Sequence, residues 1–142
     1  MDFSRPTRAE LEALVDRQAR SWERNDFQLG ASDWCEDGEL TSPGGVFPIP
    51  ALRQALSDFH RLYRDLEVRV SNVFFDHDLV ADKTRLAVEW DWTVTRRADG
   101  LRGTTPDAII ADLEGGKIRS WREYFDLSQS VELATRSGDA DT

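Results

Sequence analysis

Hydrophobic residues follow a helical period in the first half of the chain and a strand period in the second half. Thr7-Arg8-Ala9-Glu10 has the form of a helix capping box. The apolar stripe after it predicts a first helix, and its members are Leu11, Leu14, Val15, Ala19 and Trp22. Asn25-Asp26 is expected to end this helix and to cap a short second one carrying Phe27, Leu29 and Trp34.

A third helix is predicted after a turn that is rich in proline and glycine. A short strand at residues 39–42 is expected to run into the turn Pro43-Gly44-Gly45. Pro50 suits the first turn of a helix, and residues 51–66 keep helical period behind it.

The period changes to two after Leu66. Val68, Val70 and Phe74 alternate with polar residues, and a turn is expected at residues 76–78. Glycine-containing turns then separate strands predicted near 79–95, 103–113 and 117–125, and a short helix is predicted near 127–135. Helices followed by a strand meander indicate an α+β fold, with N-terminal helices packed on one face of an antiparallel sheet.

Composition narrows the class of protein. The 142 residues suit a single domain, expected at residues 1–136 with a mobile polar tail at 137–142. A net charge of −9 argues against nucleic acid or an anionic membrane surface as the main partner. Cys35 is the only cysteine, so an intrachain disulfide is impossible. No apolar run suits a signal peptide or a spanning helix, and the sequence therefore predicts a cytoplasmic protein.

Three carboxylates on the predicted strands are the candidate chemistry. Side chains alternate across a strand, so Glu89 and Asp91 share one face, while the other face carries Val88, Trp90 and Trp92. Glu123 shares a face with Trp121 and Phe125. Such acids either point into water or form an acidic site in a cavity. Periodicity alone favours water for Glu89 and Asp91, because tryptophans are buried more often than acids.

The final predicted strand carries a family resemblance. Residues 116–126, GKIRSWREYFD, are similar to the last strand of limonene-epoxide-hydrolase and SnoaL-like cyclase proteins in the nuclear-transport-factor-2-like superfamily. The resemblance covers roughly residues 7–135 and implies a cone made of a strongly curved sheet wrapped around helices. It also implies that the face with Glu89 and Asp91 lines the cavity.

The epoxide hydrolases of this group use two carboxylates, an arginine between them, a tyrosine and an asparagine to activate a water. Carried over by resemblance, the carboxylates fall at Asp91 and Glu123, and the arginine position falls at Glu89. The tyrosine and asparagine positions fall at Leu40 and Ser42, so three of the five positions lose the family chemistry. Ketosteroid isomerases of the superfamily place their base at the position of Ser42, and their mechanism is not carried over either. Crowded acids still suit a general acid paired with a general base.

Two functions follow from this interpretation. The first is a cofactor-independent enzyme that moves protons on a small, largely apolar molecule, as a cyclase, isomerase or epoxide hydrolase does. Its catalytic residues would be Asp91, Glu123 and Glu89. Its substrate-binding residues would be Trp22, Trp34, Ser42, Phe59, Tyr63 and Phe125. The second is a non-catalytic module of the same fold that binds a ligand or dimerises. Neither a metal site nor a cofactor is predicted.

The same face assignment predicts an assembly. If Glu89 and Asp91 face the cavity, then Val88, Trp90 and Trp92 lie on the convex side of the sheet. Such an apolar patch needs a cover, so a twofold homodimer through these three residues is expected.

Overall fold

The computed structural model describes residues 5–78 and 80–129. Three helices and six strands lie within this part of the chain, followed by a short 3₁₀ helix. Their order is α1 Arg8–Arg24, α2 Phe27–Ala31, β1 Trp34–Ser42, β2 Gly45–Pro48, α3 Ile49–Leu62, β3 Tyr63–His77, β4 Lys83–Arg96, β5 Arg102–Glu114, β6 Lys117–Tyr124 and the 3₁₀ helix Leu127–Gln129. The end of the predicted last helix and the predicted tail lie outside the described residues.

One mixed sheet organises the molecule, with strand order β2-β1-β6-β5-β4-β3. All neighbouring strands are antiparallel except β1 and β6, which run parallel. The sheet is open, and α1 and α3 pack on its inner face. The predicted α+β fold with a curved sheet around N-terminal helices is confirmed.

Local sequence accounts for the start of α1. The Thr7 side chain accepts a hydrogen bond from the Glu10 amide, and the Glu10 carboxylate accepts one from the Thr7 amide, which completes the predicted capping box. The apolar stripe of this helix is buried against the sheet at Leu11, Leu14, Val15 and Ala19. Burial of this stripe, more than helix propensity, stabilises the element.

Two predicted helix ends are wrong. Trp34 begins β1 and does not belong to α2, because β1 starts beside Ile118 of β6. The third helix ends at Leu62 and not at Leu66. Leu66 is buried on β3, a long strand that pairs with β4. Its spacing from the apolar residues of α3 also fits a helix, which explains the wrong prediction.

A bulge in β3 changes which side chains point inward. Val68 and Val70 pair with inward-facing residues of β4, but the register shifts between Val70 and Asn72. After the extra residue, Val73 and Phe75 point inward, and Phe74 is exposed. The predicted continuous alternation through Phe74 is therefore wrong.

No helix in the described ranges has both the length and the apolar composition to cross a bilayer. Those ranges likewise contain no group of three or more His, Cys, Asp or Glu side chains placed to hold a metal ion.

Candidate active site

A cavity of about 310 Å³ opens between the inner face of the sheet and the helices. Its volume is at the small end of the range for small-molecule sites. The lining is mostly apolar, and it consists of Trp22, Leu40, Ser42, Gly44, Phe47, Leu52, Ala55, Phe59, Trp92, Thr105, Asp107, Glu123, Phe125 and Leu127.

Asp107 is the buried acid of this cavity. It lies on β5 directly opposite Trp90 of β4, with only 7% of the residue exposed. The Trp90 Nε1–H donates a hydrogen bond of 3.1 Å to Oδ2 of Asp107. Oδ1 of Asp107 is also buried, and no donor other than the Glu123 carboxyl is available to it. Such a buried acceptor is costly unless a proton or a ligand satisfies it.

Glu123 supplies the second acid from the neighbouring strand. It lies on β6 opposite Ile109, two residues along β5 from Asp107, and the two carboxyl groups share a hydrogen bond. Glu123 is half-buried because it borders the cavity. The short strand-to-strand spacing of a sheet brings these acids together although 16 positions separate them in the sequence.

Burial and mutual repulsion disfavour a doubly ionised pair. Burial raises the pKa of Glu123 well above its usual value, and the hydrogen bond and negative charge of Asp107 raise it further. Burial also raises the pKa of Asp107, but the Glu123 carboxyl and the Trp90 indole oppose the rise. As pH rises, Asp107 is therefore the first of the pair to ionise, and Glu123 keeps its proton longer.

Aromatic rings form much of the remaining wall. Trp22 of α1, Phe59 of α3 and Trp92 of β4 contact one another edge to face, with centroid distances of 5.8 Å, 5.5 Å and 5.4 Å. Mutual packing holds each ring in place. This part of the cavity wall is therefore apolar, and its rings are packed against one another.

The polar lining side chains all come from the sheet. Ser42 ends β1, Thr105 and Asp107 lie on β5, and Glu123 lies on β6. The Ser42 hydroxyl accepts a hydrogen bond of 3.0 Å from the Gly44 amide, which fixes its position while leaving its proton free to donate.

The structure overturns the placement of two predicted catalytic acids. Glu89 is exposed on the outer face of the sheet, where its carboxylate accepts a hydrogen bond of 2.9 Å from Asn72. Asp91 shares that outer face, and neither residue lines the cavity. The cavity acid comes from Asp107, one strand later. Glu123, in contrast, does line the cavity as expected.

The predicted dimer interface is wrong for the same reason. Val88 and Trp90 are 1% and 2% exposed in the core of their own chain. Trp92 packs against that core and lines the cavity. The tryptophans face the helices because burying them there removes their large apolar area from water without a partner chain. A homodimer remains a prediction, without these residues as its anchors.

Four of the six predicted substrate-binding residues line the cavity, namely Trp22, Ser42, Phe59 and Phe125. Trp34 does not: it is buried elsewhere in the core, and its indole donates a hydrogen bond of 3.1 Å to the Gln18 side chain. Tyr63 stacks behind Phe59 at a centroid distance of 4.9 Å, so it supports the wall without lining it.

Asp107 was the residue missed by sequence reasoning, although β5 carries a signal for it. Ile109, Ala111 and Leu113 are buried at alternate positions, and the same phase places Asp107 on the inner face. An acid in phase with buried apolar residues is a candidate for a functional site, because isolated charges are rarely buried.

Comparison with solved structures confirms the nuclear-transport-factor-2-like fold. A hexachlorocyclohexane dehydrochlorinase, LinA-type3 from Novosphingobium barchaimii LL02, superposes with a TM-score of 0.74 at 16% identity, covering 84% of this chain and 86% of that one. An NTF2-like protein of unknown function from Burkholderia pseudomallei K96243 gives 0.73 at 14% identity, covering 89% and 98%. A proposed polyketide cyclase from Xanthomonas campestris pv. campestris gives 0.68 at 16% identity, covering 85% and 93%.

No protein-family model matches the sequence, and no curated protein matches it. At these identities the structural matches define the fold alone. The fold is one that supports small-molecule catalysis in some of its members, and the particular chemistry has to be argued from the site.

Proposed function

We propose that this chain is a cofactor-independent acid/base enzyme acting on a small, largely apolar molecule bound in the cavity. One observation carries the proposal. Asp107 and Glu123 share a hydrogen bond inside a cavity whose other described lining residues are uncharged. Two acids with one proton between them give a donor and an acceptor in the same place.

The proposed proton transfers use each acid once. Glu123 donates its proton to an oxygen or a carbon of the substrate and becomes a carboxylate. Asp107 then removes a proton from a different substrate atom, or from an attacking water, and becomes neutral. Transfer of that proton across the shared hydrogen bond returns Glu123 to its starting state, so the cycle consumes no proton overall.

Several reactions fit this cycle, namely cyclisation, isomerisation, dehydration and epoxide opening. The arginine-bridged water of the epoxide hydrolases does not fit, because no arginine lies among the described lining residues. The neutral indole N–H of Trp90 instead stabilises the ionised form of Asp107 by a hydrogen bond. The Ser42 and Thr105 hydroxyls lie on the same wall and can position a substrate oxygen.

The direct test uses amide replacements of the two acids with a matched pair of controls. Wild type, Asp107→Asn and Glu123→Gln are screened against an alicyclic epoxide, a β,γ-unsaturated cyclic ketone, a tertiary cyclic alcohol and an unsaturated aldehyde capable of ring closure. Glu89→Gln and Asp91→Asn make the same chemical changes on the outer face of the sheet. Product formation is followed by mass spectrometry.

We expect at least one probe to turn over in wild type and in both controls. Either cavity variant should lower the rate by a factor of about 10² to 10⁴, as expected for loss of a general acid or base. Equal activity in the cavity variants would contradict the assignment. Saturable binding of the probes without conversion of any of them would favour the ligand-binding alternative.

A further inference from the structure

The charge and the aromatic content of the cavity point to a more specific ligand class. We propose that the cavity selects apolar molecules that develop one positive charge beside Asp107 and Glu123 during the reaction. This inference rests on the proposed function, since it names the substrates that the acid pair can activate. Stable organic ammonium ions of similar shape should therefore bind as mimics of the charged species.

The first argument is electrostatic. Asp107 and Glu123 are the titratable groups among the described lining residues, and the lining side chains from α1, α3, β1, β2 and β4 are uncharged. With one proton shared, the pair keeps one negative charge in a poorly solvated place. A cationic ligand next to it restores neutrality, whereas an anionic ligand would add a second negative charge.

The second observation concerns the buried oxygen of Asp107. The residue is only 7% exposed, and apart from the hydrogen bond that it shares with Glu123, its Oδ1 has no partner. An ammonium or oxonium N–H or O–H can donate to this oxygen, and a quaternary ammonium can contact it by charge alone. Once Glu123 has given its proton to the substrate, the site thus presents a buried acceptor without a donor beside the new positive charge.

The third argument is the aromatic wall. Five rings line the cavity together with the acids, and they belong to Trp22, Phe47, Phe59, Trp92 and Phe125. Aromatic faces attract cations, most strongly when the cation has lost water. Apolar walls alone would bind any hydrocarbon, but aromatic rings combined with a net negative charge favour a cationic ligand.

The negative charge and the aromatic lining of the cavity also favour some of the reactions proposed above over others. Protonation of an epoxide or tertiary alcohol oxygen by Glu123 weakens the C–O bond and places positive charge on the adjacent carbon. Asp107 then accepts a proton from attacking water or from a neighbouring C–H. Substrates that react through such cations are favoured, because the cation lies beside two carboxylates once Glu123 has given up its proton.

The test compares ligands of the same shape and different charge. Benzyltrimethylammonium and neopentylbenzene differ by a nitrogen cation in place of a carbon, and phenylacetate serves as the anion. Affinity is measured by quenching of tryptophan fluorescence, because Trp22 and Trp92 line the cavity. The measurements are made at low and at moderate salt, since screening weakens binding to surface charges more than binding in a cavity.

We expect the ammonium ion to bind at least about tenfold more tightly than its neutral isostere, and the anion to bind more weakly than both. The preference should survive moderate salt. It should also weaken as pH falls through the raised pKa of Asp107, because a second proton neutralises the acid pair. Equal or better binding of the neutral isostere in wild type would overturn the proposal, as would a preference that does not change with pH.

Variants locate the effect in the cavity. The double variant Asp107→Asn/Glu123→Gln, in which neither residue can ionise, should reduce the cation preference towards unity, while Asp91→Asn on the outer face should retain it. Loss of the preference in Asp91→Asn would show that general surface charge attracts the ammonium ion, and the proposal would fail. Phe47→Leu should weaken ammonium binding several-fold with little effect on the neutral isostere; a larger loss for the isostere would count against the aromatic argument.

The predicted cation preference and the proposed enzyme activity can be disproved independently of each other. Turnover of the cyclic ketone with no cation preference would leave an acid/base enzyme of another reaction class. A clear cation preference without turnover of any probe would leave a cation-binding cavity and remove the enzyme.

Discussion

The Trp90 indole donates a hydrogen bond of 3.1 Å to Oδ2 of Asp107 across the β4–β5 ladder, where the two residues are direct partners. Both residues are buried, and the bond stabilises the ionised form of Asp107 together with the Glu123 carboxyl and the backbone amides of Tyr124 and Ala108. The same contact joins the hydrophobic core to the acid pair. It makes Trp90 a positioning residue for the proposed chemistry.

Trp90→Phe should shift the pH dependence of activity. Loss of the indole N–H removes a donor that favours the carboxylate, so the pKa of Asp107 rises further and the acidic limb of the pH–rate profile moves to higher pH. The free energy of unfolding should fall by about 1–3 kcal/mol. Trp34→Phe is the matched control, since it deletes another buried indole hydrogen bond of 3.1 Å, to Gln18, outside the cavity. An equal shift of the profile in both variants would assign the effect to general loosening.

Glu123→Gln should be more stable than wild type at pH 8. Because the folded-state pKa of Glu123 is raised, its contribution to stability is fully present below the unfolded-state pKa and is lost as pH rises through the folded-state value. The amide cannot ionise, so the variant avoids this loss. Its free energy of unfolding at pH 8 should exceed that of wild type by at least about 1 kcal/mol, since one pKa unit is worth about 1.4 kcal/mol. Urea unfolding at pH 4 and pH 8 measures the difference between the two proteins. A gap that does not widen with pH would contradict burial of the acid.

Replacing the outer-face acids should have small effects on stability. Glu89 is exposed and bonded only to Asn72 among the described contacts, so Glu89→Gln should change the free energy of unfolding by less than about 0.5 kcal/mol. Thermal unfolding followed by circular dichroism checks this. A loss of several kcal/mol would show that another surface covers the outer face at Glu89.

The ion pair between Arg17 and Asp33 should contribute more to the free energy of unfolding than the ion pair between Arg8 and Glu12. Asp33 is buried and accepts bonds of 2.8 Å, 3.0 Å and 3.2 Å from the Arg17 guanidinium. Arg17→Met should lower the free energy of unfolding by about 1–3 kcal/mol, because the buried carboxylate of Asp33 loses its charged partner. The effect is limited because the Arg17 side chain is partly exposed. Glu12→Gln, which weakens the bridge to Arg8 between exposed side chains and leaves the other contacts of Arg8 in place, should lower the free energy of unfolding by less than about 0.5 kcal/mol.

Local signals in the sequence predicted local structure well. The capping box at Thr7 and Glu10 and the stripe behind it define α1, because every contact needed for the prediction lies within one or two turns. The end of α3 was harder to predict. Leu62 and Leu66 keep helical spacing, but pairing of β3 with β4 over many residues outweighs that preference.

The acid pair shows where sequence reasoning stops. Glu123 could be proposed from its aromatic neighbours on one strand. Its partner depends on which strand lies beside β6, and on the register that sets Asp107 opposite Trp90. The resemblance predicted two carboxylates in the cavity but assigned one of them to β4. Strand periodicity had favoured an outward-facing Asp91, and the structure agrees with the periodicity.

The two walls of the cavity come from different parts of the chain, and this separation bears on how the protein can change. Residues Leu52, Ala55 and Phe59 on α3 shape the space that a substrate occupies, while the acids lie on strands held by long ladders. Substitutions on α3 can therefore enlarge or narrow the range of accepted molecules without disturbing the proton-transfer groups. A combinatorial library at these three positions offers a route to new substrates on an unchanged reaction centre.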